Sequence, residues 1–510
     1  MAMRAASKAL GLLLLAGLVW CGAGTTRAAE PAPPPGDQTM AKIEAYLRSA
    51  MAANNIPGLA LVVVDGESVH LTGFGQADLA SGRAVTPDTL FEIGSCTKAF
   101  TGLAAARMQA DGLLSLSQEI NRYLPLYYAL WQGRGAPITL EQLLHHTSGI
   151  PSRTIMDLPP GDQDYAWQAT AIAVAGVPLD SPPGKIYEYA TINYDLVAAA
   201  MQAVSGQTYE AYMARAIFQP LGLEHTLVGA EAQVMASHPE MARGYKRTFG
   251  QPRAYVAPVF RGDFPAGYVI SSARDLALWL KFQVGVTMQD QLSPLLPLTH
   301  DLKVPEGGGS GLSYALGWEV AQGGTLSHAG VNPTFTAYVA ISPATRKGLA
   351  ILTNSNATAV DAMGQGAMNL LLGQPAQPVG MVWGGPEITD AVGSLGCLLC
   401  GLILLGLLIW SVCLIVALMR GGRAFTPLGA WRLLGSLLLL LAWPLGAWGL
   451  YLLPQALLGG DWQDVSVWLS GSVPLAAALA LAALTALLLW GLLLLLFPKT
   501  SAPRPGEARA

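Results

Sequence analysis

The sequence predicts a mixed α/β domain followed by three membrane-spanning α-helices. Three observations carry that reading. β-Strand patterns stand at both ends of a globular stretch whose middle is helical. Three long apolar runs crowd the C-terminal part of the chain. Pro/Gly-rich stretches separate these regions. Only 12% of the 510 residues are charged and 52% are hydrophobic, against a usual charged share of about 25%. A net charge of −4 without a basic cluster excludes nucleic acid as the expected partner.

Taken in order, Arg4 and Lys8 precede an apolar run from Ala9 to Trp20 and then small residues. Residues 1–29 therefore read as a secretory signal. Residues 30–38 form a Pro-rich linker. The globular segment, residues 39–373, is long enough for a large core. Within it, Gly58 to Gly66 is a strand entering a turn, with Glu67 to Gly73 as its hairpin partner. Ser95 to Leu221 is helical in pattern and should form an all-helical subdomain. Strand patterns return at Ala315–Val320, Thr325–Ser327, Thr334–Ile341 and Leu349–Asn354. Both ends of the segment should thus close one mixed antiparallel sheet flanked by helices.

A second linker, residues 374–391, leads into a three-helix transmembrane region over 392–497 and a tail over 498–510. The spans are Val392–Met419, Leu433–Leu453 with a kink at Pro444, and part of Val465–Phe497. Arg420, Arg423 and Arg432 place the first connecting loop in the cytoplasm. Asp461 and Asp464 mark the second as external, and Lys499, Arg504 and Arg509 put the tail inside. Residues 39–373 then lie outside a cytoplasmic membrane, as the signal requires. The spans lack internal charges, which favours an anchor over a transporter.

Of five cysteines, Cys21 lies in the signal and Cys397, Cys400 and Cys413 in the first span. Cys96 alone belongs to the globular segment, so no disulfide framework is expected. Cys397 and Cys400 read as helix packing.

The chemistry-bearing run is Phe91-Glu92-Ile93-Gly94-Ser95-Cys96-Thr97-Lys98-Ala99-Phe100-Thr101. A serine and a lysine three apart at a helix start share one face. The amine then stands beside a hydroxyl that needs activation to become a nucleophile. Downstream, Ser181-Pro182-Pro183-Gly184 precedes Tyr187, Tyr189, Thr191 and Tyr194, and Leu326 to Pro343 carries His328-Ala329-Gly330-Val331-Asn332 on a strand pattern. A glycine there lets another backbone approach closely. His145 and His146 have no third ligand at metal spacing and read as structural. Glu188 fits a solvated or salt-bridged role. Asn332 is either a turn residue or a reader of substrate.

These pieces, in this order, resemble the class C β-lactamase and D,D-peptidase family of serine hydrolases. The resemblance runs from Ile56 to about Leu372. It includes Leu144-His145-His146-Thr147-Ser148-Gly149, Pro220-Leu221-Gly222, Pro265-Ala266-Gly267, Ser272-Ala273-Arg274-Asp275-Leu276 and Tyr314-Ala315-Leu316-Gly317-Trp318. It implies a β-lactamase/transpeptidase-like fold. It implies Ser95 as the acylated nucleophile, Lys98 as its amine partner and Tyr189 as the proton shuttle. The amides of Ser95 and Val331 would form the oxyanion hole. Thr191, His328, Gly330 and Asn332 would face substrate. No metal or cofactor is implied.

Thr191 and His328 depart from the Tyr-x-Asn and Lys-Thr-Gly patterns of the lactamases. Their loss disfavours β-lactam hydrolysis while leaving acyl transfer intact. The overall architecture resembles membrane-bound peptidases that mature non-ribosomal prodrugs, the colibactin-maturing group among them, which remove an N-acyl-D-asparagine cap. The expected function is a membrane-anchored serine peptidase acting on an acylated peptide or peptide-like molecule at a lipid surface. Within enzymes the alternative is a penicillin-binding D,D-peptidase, β-lactamase or esterase. From another class, it is a non-catalytic membrane sensor or binding domain.

Overall fold

The computed structural model describes residues 35–301 and 303–500. The expected signal, 1–29, and most of the tail lie outside the described residues. The chain divides into two compact units, 1–42 and 43–510. Helix Pro35–Asn54 starts inside the stretch expected as a linker. The site described below lies wholly in the second unit.

A nine-stranded antiparallel sheet forms the centre of that unit. Its long strands are β1 (Gly58–Asp65), β2 (Ser68–Asp78), β3 (Leu326–Val331), β4 (Thr336–Ser342) and β5 (Lys347–Thr353). In space they run β3-β4-β5-β1-β2. The N-terminal hairpin thus pairs with the last strand, Leu61 opposite Ile351, and both chain ends close the sheet as expected. β1 and β4 are buried along nearly their whole length, which explains their continuous apolar, β-branched sequences.

Helices cover both faces. Ala273–Gln283 packs its Leu280 on Gly348 of β5. Ala359–Leu371 brings Gly364 onto Tyr338 of β4. Tyr338 pairs with Ile351, three residues beyond Gly348, so alternation puts the two helices on opposite faces. The helical region holds α1 (Thr97–Ala110) and α2 (Ile192–Ser205), both largely buried.

Among the described residues, three helices are long and apolar enough to cross a membrane: α3 (Gly385–Met419), α4 (Ala430–Leu458) and α5 (Ser472–Leu496). α3 begins inside the stretch expected as a linker. Its extra turns carry Glu387 and Asp390, which are buried against the globular domain. Asp390 accepts from the amides of Phe249 (2.8 Å) and Gly250 (2.6 Å). α4 continues helically through Pro444 and Pro454. Between α4 and α5 a short helix, Trp462–Trp468, starts at Asp461, whose side chain accepts from the Gln463 and Asp464 amides. Val465 and Val467 on this helix are buried. The connection expected as a plain external loop is therefore packed structure.

Candidate active site

Gly94 to Cys96 make a single 3-10 turn that leads directly into α1. Gly94 has φ +54, and a Cβ there would overlap the Val331 amide nitrogen. Only glycine allows the turn to lie so close to β3. The Cys96 thiol donates to the His328 carbonyl at 3.1 Å and the Val269 amide donates to the Thr97 hydroxyl at 3.0 Å. Strands on both sides therefore fix the start of α1.

Lys98 sits one helical turn after Ser95 and is wholly buried. Its Nζ donates to the Ser95 hydroxyl at 3.0 Å and to the Ala266 carbonyl at 2.9 Å. The sequence spacing thus produced the contact it predicted. Lys98 Nζ lies 5.1 Å from the Tyr189 ring centroid and 5.7 Å from that of Tyr194. Tyr194 is fully buried and its hydroxyl is committed to the Leu144 carbonyl at 2.9 Å. Tyr189 is half-buried, and the His146 ring lies beside it at 4.2 Å. His146 itself is buried, and its Nδ1 faces Asn193 and the Ala190 amide. Burial, with the charge of Lys98, keeps its imidazole well below the usual histidine range. Glu188 accepts from the Ser152 amide, a structural contact.

Ser95 opens into a cavity of about 320 Å³. Thr191, Asp263 and Asn332 give it polar walls, and Ile155, Met156, Val331 and Trp468 give it apolar ones. Asn332 is buried, and its amide donates to Glu92 at 2.6 Å and to the Gly267 carbonyl at 3.0 Å. Burial pushes the Glu92 carboxyl up to about 7. The Ser95 amide belongs to the unpaired donors at a helix start, and the Gly94 backbone brings the Val331 amide alongside it.

Two expected substrate contacts are placed elsewhere. His328 is buried, with Nε2 3.0 Å from the Tyr314 hydroxyl and Nδ1 2.6 Å from the Ala329 carbonyl. A carbonyl only accepts, so Nδ1 carries the proton and Tyr314 donates to Nε2. Burial, then the charge of Lys98, pushes His328 down to about 3, so it is neutral. It does not line the Ser95 cavity. At Gly330, a Cβ would collide with the Ile93 carbonyl. The backbone that this glycine admits is the chain's own. The physical reason is strand alternation: Leu326, His328 and Gly330 share the buried side of β3 while Val331 turns outward, 55% exposed.

Sequence reasoning missed Trp468. It comes from the helix between the second and third apolar spans and stands in the wall of the Ser95 cavity. A tryptophan near a span end reads as an ordinary interface anchor, so nothing local marks it.

The fold and the sequence have known relatives. The protein flp of Staphylococcus aureus (strain N315) is 29% identical over 318 residues, 62% of this chain and 63% of the relative. The unguisins hydrolase ungD of Aspergillus violaceofuscus is 28% identical over 358 residues, 62% of this chain and 61% of the relative. The chain thus spans less than two thirds of either relative's length. Among solved structures, the octameric penicillin-binding protein homologue from Pyrococcus abyssi shares the fold. Its TM-score is 0.56 at 24% identity, over 70% of this chain and 81% of that one. So does a β-lactamase/D-alanine carboxypeptidase from Pseudomonas syringae, with TM-score 0.56, 24% identity, and coverage of 67% and 100%. The Beta-lactamase family model matches residues 43–372, well over half of the 510. The chain belongs to the Beta-lactamase family.

Proposed function

We propose that this hydrolase is a membrane-anchored peptidase or amidase that works through an acyl-enzyme on Ser95. The observation that carries the reading is the 3.0 Å contact between the buried Lys98 amine and the Ser95 hydroxyl. Tyr189 is the proton shuttle, because Tyr194 is committed to Leu144 and Lys98 approaches the Tyr189 ring more closely. The Ser95 and Val331 amides receive the oxyanion that forms on attack. Attack on an acyl carbonyl forms the ester to Ser95, the amine leaves with the shuttled proton, and water then releases the acid.

The cavity favours a substrate with both an apolar and a polar part. Ile155, Met156, Val331 and Trp468 accept an acyl chain, while Thr191 and Asn332 meet a polar side chain. An N-acyl-D-asparaginyl amide has this make-up. A relative named as a hydrolase of unguisins supports hydrolysis outside β-lactams. The arginines of the first connecting loop support an external site, with the three spans holding it at the lipid surface.

A fluorophosphonate tests the core of the reading. Mass spectrometry should place its adduct on Ser95, and Ser95→Ala should abolish labelling and turnover while the domain stays folded. An adduct elsewhere overturns the assignment.

A further inference from the structure

Lys98 is 0% exposed, yet among the described residues no carboxylate lies within ion-pair distance of it. A buried ammonium without a counter-charge is strongly disfavoured. The ionisable groups that sense its charge are Cys96 on its own turn, His146 and His328, and two aspartates, Asp195 and Asp263. The tyrosines Tyr189 and Tyr194 also face it. Both histidines are held neutral, and burial pushes the Cys96 thiol far up. The aspartates are the remaining source of negative charge.

Their positions are set by the two elements that enclose Lys98. Asp195 lies on the first turn of α2, four residues after Thr191 in the cavity wall. Asp263 lines the same cavity and precedes by three residues Ala266, whose carbonyl Lys98 bonds. Both side chains are buried, and they face each other within hydrogen-bonding reach. Both oxygens of Asp195 and one of Asp263 have no donor among the described residues. Two carboxylates that meet without a donor repel; one shared proton turns the contact into a strong hydrogen bond.

We propose that Asp195 and Asp263 share one proton and carry one buried negative charge between them, which holds Lys98 as an ammonium. They are positioning residues for the Ser95–Lys98 pair, and the inference rests on that pair acting in catalysis. Burial first, and mutual repulsion on Asp195, raise both carboxyls above the usual range, as a retained proton requires. An ammonium donates to Ser95 and steadies charge on the Tyr189 oxygen. It leaves the serine proton to Tyr189.

Two measurements on the full chain in detergent test this. Other buried carboxyls, Glu92 among them, also hold protons near neutral pH, so the infrared difference spectra of the unmodified chain against Asp195→Asn and against Asp263→Asn should each show the loss of one protonated carboxylic acid C=O stretch. Each single variant keeps one charge and gains an amide donor, so kcat/KM should fall only about three- to tenfold. The double variant removes the charge and should lose at least a further hundredfold, within the range of a perturbed acid–base group. Its alkaline limb of kcat/KM should also move to lower pH, a shift that a purely structural role would not produce. Absence of that band from both difference spectra overturns the shared proton, whether or not the double variant folds. An unmoved limb in a folded double variant overturns the link to Lys98. Loss of fluorophosphonate labelling at Ser95 in the unmodified chain would instead refute the hydrolase mechanism and leave the infrared result standing.

Discussion

Lys246 donates its ammonium to the Val467 carbonyl at 2.9 Å, one residue before the tryptophan that lines the Ser95 cavity. It also donates to the Ser466 carbonyl at 2.8 Å. These carbonyls end the helix Trp462–Trp468, where a cation meets the negative end of the helix dipole. Burial lowers Lys246 to about 8, and the Tyr255 ring lies 4.4 Å away. The globular domain therefore grips the segment that supplies part of its own cavity wall.

Trp468→Ala should selectively weaken long-chain substrates. Losing roughly 60–80 Å² of apolar contact at about 25 cal/mol per Å² costs about 1.5–2 kcal/mol, or ten- to thirtyfold. The measurement is kcat/KM for p-nitrophenyl octanoate against the acetate. Lys246→Met should reproduce part of the loss by loosening the helix. Equal losses on both esters would mean that Trp468 does not touch the acyl chain.

How much of this was legible follows from range. Ser95 and Lys98 are three residues apart, so helix geometry alone brings them together. β1 and β5 were legible because strands buried on both faces need unbroken β-branched and apolar residues. A strand was expected at Thr325–Ser327 with a strand pattern through Gly330, and it runs Leu326–Val331, but the direction of His328 depends on register against β4, which local sequence does not encode. Trp468 and the Asp195–Asp263 contact depend on separate elements folding together. Neither carries a local pattern.

Tyr189→Phe removes one oxygen, and stopped-flow acylation should slow by about two to four orders of magnitude, the range for a positioned acid–base group. Tyr194→Phe should cost stability more than rate, because its hydroxyl bonds the Leu144 carbonyl. A near-normal rate for Tyr189→Phe, with a large loss in Tyr187→Phe, would reassign the shuttle.

His328 should make the fold acid-sensitive. Its folded value, about 3, lies below the ordinary 6.5. As pH falls below 6.5 the unfolded chain takes up a proton that the native state refuses, so stability is lost until about pH 3. His328→Gln lacks this term. At pH 7 the variant should be less stable by about 1 kcal/mol, from the weakened Tyr314 bond. The gap should then close by about 1.4 kcal/mol per unit below pH 6.5. Urea melts of both proteins at pH 7 and 4.5 measure it; a constant gap refutes the buried neutral histidine.

Membrane orientation gives a separate test. The helix Trp462–Trp468 touches the globular domain through Lys246, so the connection after the second span must share the side of Ser95. An epitope inserted after Phe425 should be accessible only from the cytoplasm, and one after Gly460 only from outside. The reverse pattern would refute the external site.

Substrate choice is the sharpest question. Asn332 is buried beside Ser95, and its amide nitrogen is already spent on Glu92 and Gly267. Its side-chain oxygen remains to accept from a substrate amide, and the Thr191 hydroxyl stands in the same wall. A D-asparaginyl side chain entering the cavity needs such partners, since an unpaired buried polar group costs about 1–3 kcal/mol. An N-acyl-D-asparaginyl amide should therefore be cleaved faster than its L-isomer and faster than a penicillin. Asn332→Ala should lower kcat/KM for the D-asparaginyl substrate by about ten- to a hundredfold, the equivalent of that cost, and should affect a simple activated ester much less. Equal losses on both substrates would mean that Asn332 only braces Glu92 and the 267 turn. Equal rates on the two isomers would remove the D-asparagine reading and leave a serine hydrolase of another amide or ester.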